Sequence, residues 1–334
     1  MASDLHPMSI GDVFDTAFDL YKHNFALFAG VTAIVHVPAQ VAFAAGYLAI
    51  DFDRFDRATR TSADVGAMFV ALGFLFLLFV GYHFLYVAHS GALSIAVSER
   101  LLGRPITIGE SYRRLRPTLA KLLFTWVLID LILLVCTFAI FIAFAVIGSF
   151  VIGAAALAAG QSGEPGAVIL TVAVILMFVL PFLAFIAMAI CFAVFSTQVV
   201  VLEGNGYSGA LSRNWSLLRG RFWQPFWFTV LLTVLVFGLH IALQESVEFL
   251  LGLSLYSWMP LSHLSHQVIE EVLATVISLL LQPFMMIALT VLYFDQRMRR
   301  EGFDIELALY EREAALARAA LPSGESTAAT EGAG

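Results

Sequence analysis

The chain has 334 residues, 60% of them hydrophobic and 13% charged, with a mean hydropathy of +0.89. Soluble domains run at about half apolar and about a quarter charged, so an ordinary soluble enzyme and a disordered chain are both excluded. Lys and Arg number 18 against 25 Asp and Glu, which leaves no basic excess to neutralise phosphates and excludes a nucleic-acid partner.

The first turns carry Asp4, Asp12, Asp15 and Asp19, and the apolar run that follows is too long for the core of a cleavable signal. Apolar runs fall at about 25–50, 65–98, 118–160, 167–202, 222–256 and 267–294. Each exceeds the ~20 residues that cross a bilayer, so the sequence predicts six spanning helices. As one straight helix the third run would reach about 60 Å, at a rise of ~1.5 Å per residue. It must tilt, break near Gly148, Gly153 or Gly160, or stand out of the membrane. An eight-span alternative needs turns inside 118–202 that the sequence does not mark.

The loops set the orientation. One side collects the N-terminus, 99–121, 203–221 and the tail from 295, with 15 of the 18 Lys and Arg. The other side collects 51–64, 161–166 and 245–271, with only Arg54, Arg57 and Arg60. The positive-inside rule puts both termini in the cytoplasm, and a bacterial inner membrane suits the chain.

A short polar-apolar segment precedes each odd-numbered span, at a period near 98 residues. These are SIGDVFDTAFDLYKHNF from residue 9, TIGESYRRLRPTLAKLL from 107 and GYSGALSRNWSLLRGRFW from 206. The first two open with a hydroxyl three residues before an acid, the pattern of a capping box. Each carries an apolar stripe at helical spacing, and each is too polar to span. They predict cytoplasmic interfacial helices near 9–22, 107–117 and 206–219, apolar face in the headgroup boundary. The predicted fold is therefore all-α: a polytopic membrane helix bundle of six transmembrane helices, built as three repeats of interfacial helix plus transmembrane hairpin over 1–303. Residues 304–334 form a cytoplasmic charged helix and a small-residue tail.

PMSIGDVFDTAFDLYKHNF at the start, VVVLEGNGYSGALSRNWSLLRGRFWQPF in the middle and LYFDQRMRREGFDIELAL near the end carry a family likeness. The chain resembles the glycerophosphoryl diester phosphodiesterase membrane-domain family, six-span bacterial membrane proteins, up to about residue 312. The resemblance implies topology rather than activity. In the namesake proteins a separate soluble barrel does the chemistry. That barrel needs roughly 250 residues, and the polar tail here offers about 40. No catalytic residue is carried over, and the expectation is a membrane module that is not an enzyme.

Within the spans, Asp130 stands out in WVLIDLILL, about twelve residues into the third span. A carboxylate at that depth costs on the order of 3 kcal/mol unless neutral, paired or wetted, so it is expected to face the bundle interior. His36 falls in span one; span two carries Tyr82, His83, Tyr86, His89 and Ser90. His83, Tyr86 and Ser90 share one helical face, with Tyr82, Tyr86 and His89 on an adjacent one. A polar stripe in lipid looks inward, which offers His83 or His36 as a partner for Asp130. Asp130, His36, His83, Tyr86 and His89 are thus the intramembrane candidates for a proton or ligand site, against simple interhelical hydrogen bonding.

Arg113, Arg114, Arg116, Arg213, Arg219 and Arg221, with Trp215 and Trp223, suit anionic headgroups and the aromatic belt. Ser196, Thr197 and Gln198, near the cytoplasmic end of span four, read as interface polar groups. On the outer side His263, His266 and Glu270 fall at i, i+3 and i+7, a spacing for a metal site against a solvated acidic rim. GxSxG, Walker A, GxGxxG, HExxH and CxxC signatures are missing from any usable context, and no cofactor is implied.

The leading expectation is a non-catalytic integral membrane protein that organises membrane lipid or a partner protein, itself included, in the cytoplasmic membrane. The alternatives are a transporter or channel for a small or lipid-like substrate, and a metal-dependent enzyme on the outer face.

Overall fold

A computed structural model describes residues 7–49, 62–162, 164–254 and 263–302, and beyond them Ile305, Leu309 and Leu316. Among the described residues all regular structure is helical: α1 Ile10–His23, α2 Phe25–Ala49, α3 Ser62–Leu101, α4 Ile108–Ser162, α5 Glu164–Ala193, α6 Ser196–Glu203, α7 Ser208–Leu218, α8 Trp223–Ser254 and α9 His263–Glu301.

The short helices start where the sequence signals them. At α1 the Ser9 hydroxyl accepts from the Asp12 N–H at 3.2 Å, and the Asp12 carboxylate accepts from the Ser9 N–H at 2.8 Å, a complete capping box. Lys22 and His23 close the helix on its negative end. Before α4 the Thr107 hydroxyl accepts from the Glu110 N–H at 3.3 Å, while the Glu110 carboxylate turns to Arg114. The second short segment is no separate element. It forms the first turns of α4 and runs into the span without a break, with Pro117 inside the helix.

The apolar stripes of these segments are divided: part packs on protein, while Phe18, Tyr207 and Trp215 stay exposed. Val13 and Ala17 of α1, Leu115 of α4, and Ala210 and Leu218 of α7 are all buried. α1 lies mainly along α9, and α7 packs on α5 and α6. Burial against neighbouring helices removes the same apolar area from water as a lipid boundary would.

The third apolar run takes the course of standing long. α4 continues unbroken past Gly148 and Gly153 for 55 residues, about 80 Å at ~1.5 Å per residue. α5 returns along it as a hairpin. Among the described residues α4 runs unbroken to Ser162 and α5 from Glu164 to Ala193, so the extra turns that eight spans would need do not occur before that point.

Five of the helices contain stretches long and apolar enough to cross a membrane: Phe25–Gly46, Gly66–Leu101, Ile108–Phe150, Trp223–Leu251 and Val268–Glu301. α5 contributes a shorter apolar stretch, Val174–Ile190. Large apolar side chains point outward along the mid-regions, among them Phe69 and Phe76 of α3, Phe138 and Phe141 of α4, and Phe237 of α8. Such a surface suits hydrocarbon and not water.

The protein-lined core sits at one end of the bundle, where α1, α6 and α7 gather around α3, α4 and α9. Gly91 makes a tight crossing there. A Cβ on it would come within 2.7 Å of Leu122 Cδ2, 2.8 Å of Leu115 Cδ1 and 3.3 Å of Val201 Cγ1. Gly91→Val is therefore expected to overpack the α3–α4–α6 contact and cost about 1–3 kcal/mol, read as a lowered unfolding midpoint in detergent.

Candidate functional site: an apolar cavity floored by α6

α5 stops at Ala193, the chain turns through Val194 and Phe195, and α6 begins at Ser196. The freed Phe195 N–H is taken by the buried Asn214 Oδ1 of α7 at 2.9 Å. Asn214→Ala would leave that amide orphaned, at a cost of about 1–3 kcal/mol, and thermal unfolding of the variant measures it. α6 ends at Gly204, whose φ of +74° lies in the left-handed region open to glycine.

The α5–α6 break turns Ser196, Thr197 and Gln198 into the protein. They are 0%, 4% and 1% exposed, so the expectation of interface polar groups is corrected. Each makes at least one side-chain hydrogen bond, as most buried polar groups do. Ser196 Oγ donates to the Phe192 carbonyl at 2.7 Å. Trp126 Nε1 donates to Thr197 Oγ1 at 3.1 Å. Gln198 Nε2 donates to Thr290 Oγ1 at 3.3 Å, and that hydroxyl donates onward to the Met286 carbonyl at 2.8 Å.

Above this floor lies a cavity of about 390 Å³. Its walls are α5 from Phe182 to Ala193 and α8 from Thr229 to Val234, with Met285, Met286 and Leu289 of α9 behind. Tyr86 and Ser90 of α3 and Trp126 of α4 complete the polar end. Among the described residues that line it there is no Asp, Glu, His, Lys or Arg. Phe182 and Val234, on facing walls, are each more than half exposed, so the cavity communicates with the outer apolar surface.

Tyr86 joins the cavity to the buried polar cluster of the first spans. Its ring centroid lies 5.2 Å from that of His89 and 6.2 Å from that of Tyr82. His36 Nε2 is 3.1 Å from the Tyr82 hydroxyl, and the His36 and His89 rings meet at 5.7 Å. His89 Nδ1 is 3.0 Å from the Tyr86 carbonyl. His36 and His89 are each 1% exposed. Ser90 is buried as well, while His83 is not.

Asp130 departs from expectation in place but not in partnership. It is paired with His83, Nε2 to Oδ2 at 2.8 Å, a close contact outside linear hydrogen-bond geometry. The two side chains are 43% and 31% exposed, so the pair lies along the α3–α4 seam rather than in the bundle interior. A neighbouring helix supplies the partner, and central burial is not needed. The His83 ring packs against Trp126, centroid to centroid 6.3 Å.

The basic candidates divide. Arg213 donates to Glu203 Oε2 at 2.7 Å and Oε1 at 3.0 Å, and pairs with Glu301. These bonds, Glu301 first, hold its guanidinium above an already high pKa. Arg114 is shared between Glu110 at 2.8 Å and Glu99 at 3.0 Å. Arg213 is thus tied into the protein, contrary to the headgroup expectation, because Glu203 and Glu301 come to it from other helices. Arg113, Arg116, Arg219 and Arg221 are exposed, as are Trp215 and Trp223, and Trp223 stacks on Trp227. Of the outer metal candidates, the side chains of His263 and His266 lie outside the described residues; Glu270 is half-buried. No group of three or more His, Cys, Asp or Glu with metal-binding geometry occurs among the described residues.

Two further groups carried no signal in the sequence. Glu203 also accepts from the Tyr293 hydroxyl at 2.6 Å, with Arg297 at 3.8 Å. Asp295, fully buried, accepts from the Met8 N–H at 2.7 Å and from Arg299 at 2.9 and 3.0 Å, while Arg299 also donates to the Met8 carbonyl. These contacts tie the start of the chain to the end of α9.

A family model described as Domain of unknown function (DUF7847) matches residues 8–296. The chain belongs to that family. The DUF7847 match begins at Met8 and ends one residue beyond Asp295, its hydrogen-bond partner. No curated protein and no solved structure matches the chain.

Proposed function

We infer that this DUF7847 protein is a non-catalytic component of the cytoplasmic membrane that crosses it six times, keeps both termini in the cytoplasm and organises membrane lipid. The cavity between α5 and α8 carries the reading: it is apolar, lacks charged lining among the described residues, and communicates with a lipid-compatible surface. A hydrocarbon chain loses nothing by entering it, whereas a charged substrate would be desolvated without a partner. The excess of Lys and Arg on one set of loops supports the orientation. The apolar stretch of α5 supports the sixth crossing, and the resemblance to the glycerophosphoryl diester phosphodiesterase membrane-domain family supports the same topology.

Native mass spectrometry of the protein released from its own membrane tests this. The reading predicts lipid adducts that survive activation; a chain that is bare under all conditions contradicts it.

The Asp130–His83 pair beside Trp126 favours a second reading, transport of a small or lipid-like substrate. There Asp130→Asn should abolish uptake in vesicles while the protein keeps its unfolding midpoint. Unchanged uptake, or loss of stability alone, removes that reading.

A further inference from the structure

We propose that the α5–α8 cavity is a site for a single-chain lipid with a neutral, hydroxyl-bearing head, chemically a monoacylglycerol, with the head on the α6 floor and the chain between α5 and α8. The proposal rests on the lipid reading above and makes it specific.

The floor fixes the chemistry of the head. The Thr290 hydroxyl commits its hydrogen to the Met286 carbonyl, so whatever faces its oxygen must be a donor. That makes the atom on Thr290 the Gln198 Nε2 and turns Gln198 Oε1 away from it. Gln198 is 1% exposed and lines the cavity, and its Oε1 has no partner. Thr229 Oγ1, on the opposite wall, is buried without one as well. A buried, unpartnered amide oxygen is costly and calls for a donor. A hydroxyl supplies it. A phosphate or carboxylate brings only acceptors and a charge, and among the described residues no cation lines the cavity to meet that charge.

The walls fix the tail. A methylene takes about the room of a water molecule, roughly 30 Å³, so 390 Å³ holds about a dozen. The α5 wall from Phe182 to Ala193 rises about 16 Å at ~1.5 Å per residue, which fits one extended chain and not two. The end of a longer chain leaves between Phe182 and Val234, both exposed.

The test is equilibrium binding of radiolabelled 1-oleoylglycerol, oleate and oleoyl lysophosphatidate to the full chain in detergent. The proposal predicts that oleoylglycerol binds at least tenfold tighter than either anion. Ala189→Phe or Thr233→Phe, each filling the cavity, should weaken oleoylglycerol at least tenfold. Gln198→Leu should lower oleoylglycerol to the level of the anions. Only variants that elute and melt like the unmodified chain are scored, and the selectivity of the unmodified chain is a test in itself. Equal binding of the three lipids, or binding indifferent to the filled cavity, overturns this site and leaves the lipid reading standing. No saturable binding of these probes, in a protein that also comes bare from its membrane, overturns both.

Discussion

Arg299→Met is expected to destabilise the protein by about 3–5 kcal/mol, the usual cost of stranding one member of a buried ion pair. Asp295 is fully buried and takes two bonds from Arg299, and the Met8 N–H is the other donor it holds across the fold. Without the guanidinium the carboxylate must stay charged and half-satisfied or take up a proton. Arg299 also holds the Met8 carbonyl, so the backbone before α1 loses one of its two ties and keeps only the Met8 N–H on Asp295. The pair can be separated from its packing. Asp295→Leu combined with Arg299→Met removes the stranded charge and should recover part of the loss, as buried pairs replaced together by apolar groups often do. Unfolding midpoints of the two variants in one detergent decide it. A double variant no better than Arg299→Met would show that packing, not charge, dominates.

Glu203→Leu should be the second large effect, about 2–4 kcal/mol. Glu203 takes two bonds from Arg213 and one from the Tyr293 hydroxyl, and hydrogen bonds to a charged group are worth ~1.5–3 kcal/mol each before compensation. Arg213 keeps Glu301, so the loss falls short of the full sum. The effect should be local. α7 is held by Arg213 and by Asn214 on Phe195, so weakening the first should expose the turn after it. Tryptic cleavage at Arg219 and Arg221 should quicken in Glu203→Leu well before global unfolding. Cleavage at the unmodified rate would mean that Glu203 does not fasten α7.

The spanning helices were legible because hydropathy is a property of long windows, and so were the starts of α1 and α4, marked by Ser9 and Thr107. The seam pair was legible in part. Asp130 and His83 are the misfits of adjacent spans, and misfits in lipid find each other; which histidine would serve depended on rotation about α3. What failed was read from one strand of sequence at a time. The run from 167 to 202 is apolar throughout, so nothing marked the break at Val194 and Phe195 that buries Gln198. Arg213 looked like a headgroup anchor because its acids, Glu203 and Glu301, come from α6 and the end of α9. Asp295 gave no signal, since its bond to Met8 crosses nearly the whole chain. Amphipathic stripes told that a face would be covered, but protein and lipid cover it equally well: Val13, Ala17, Ala210 and Leu218 pack on protein, while Phe18 and Trp215 stay exposed.

The orientation underlies the six-span topology proposed above, and one experiment addresses it directly. With Cys136 and Cys191 replaced by Ala, single cysteines at Asp56, Gln161 and Ser257 are labelled in intact cells by a membrane-impermeant maleimide, beside cysteines at Gly103 and Asn205. The account predicts that the first three react from outside and that the last two react only after the membrane is opened. Labelling of Asn205 from outside, or protection of Gln161 there, would contradict it, because the α4–α5 hairpin would then not cross the membrane as a pair.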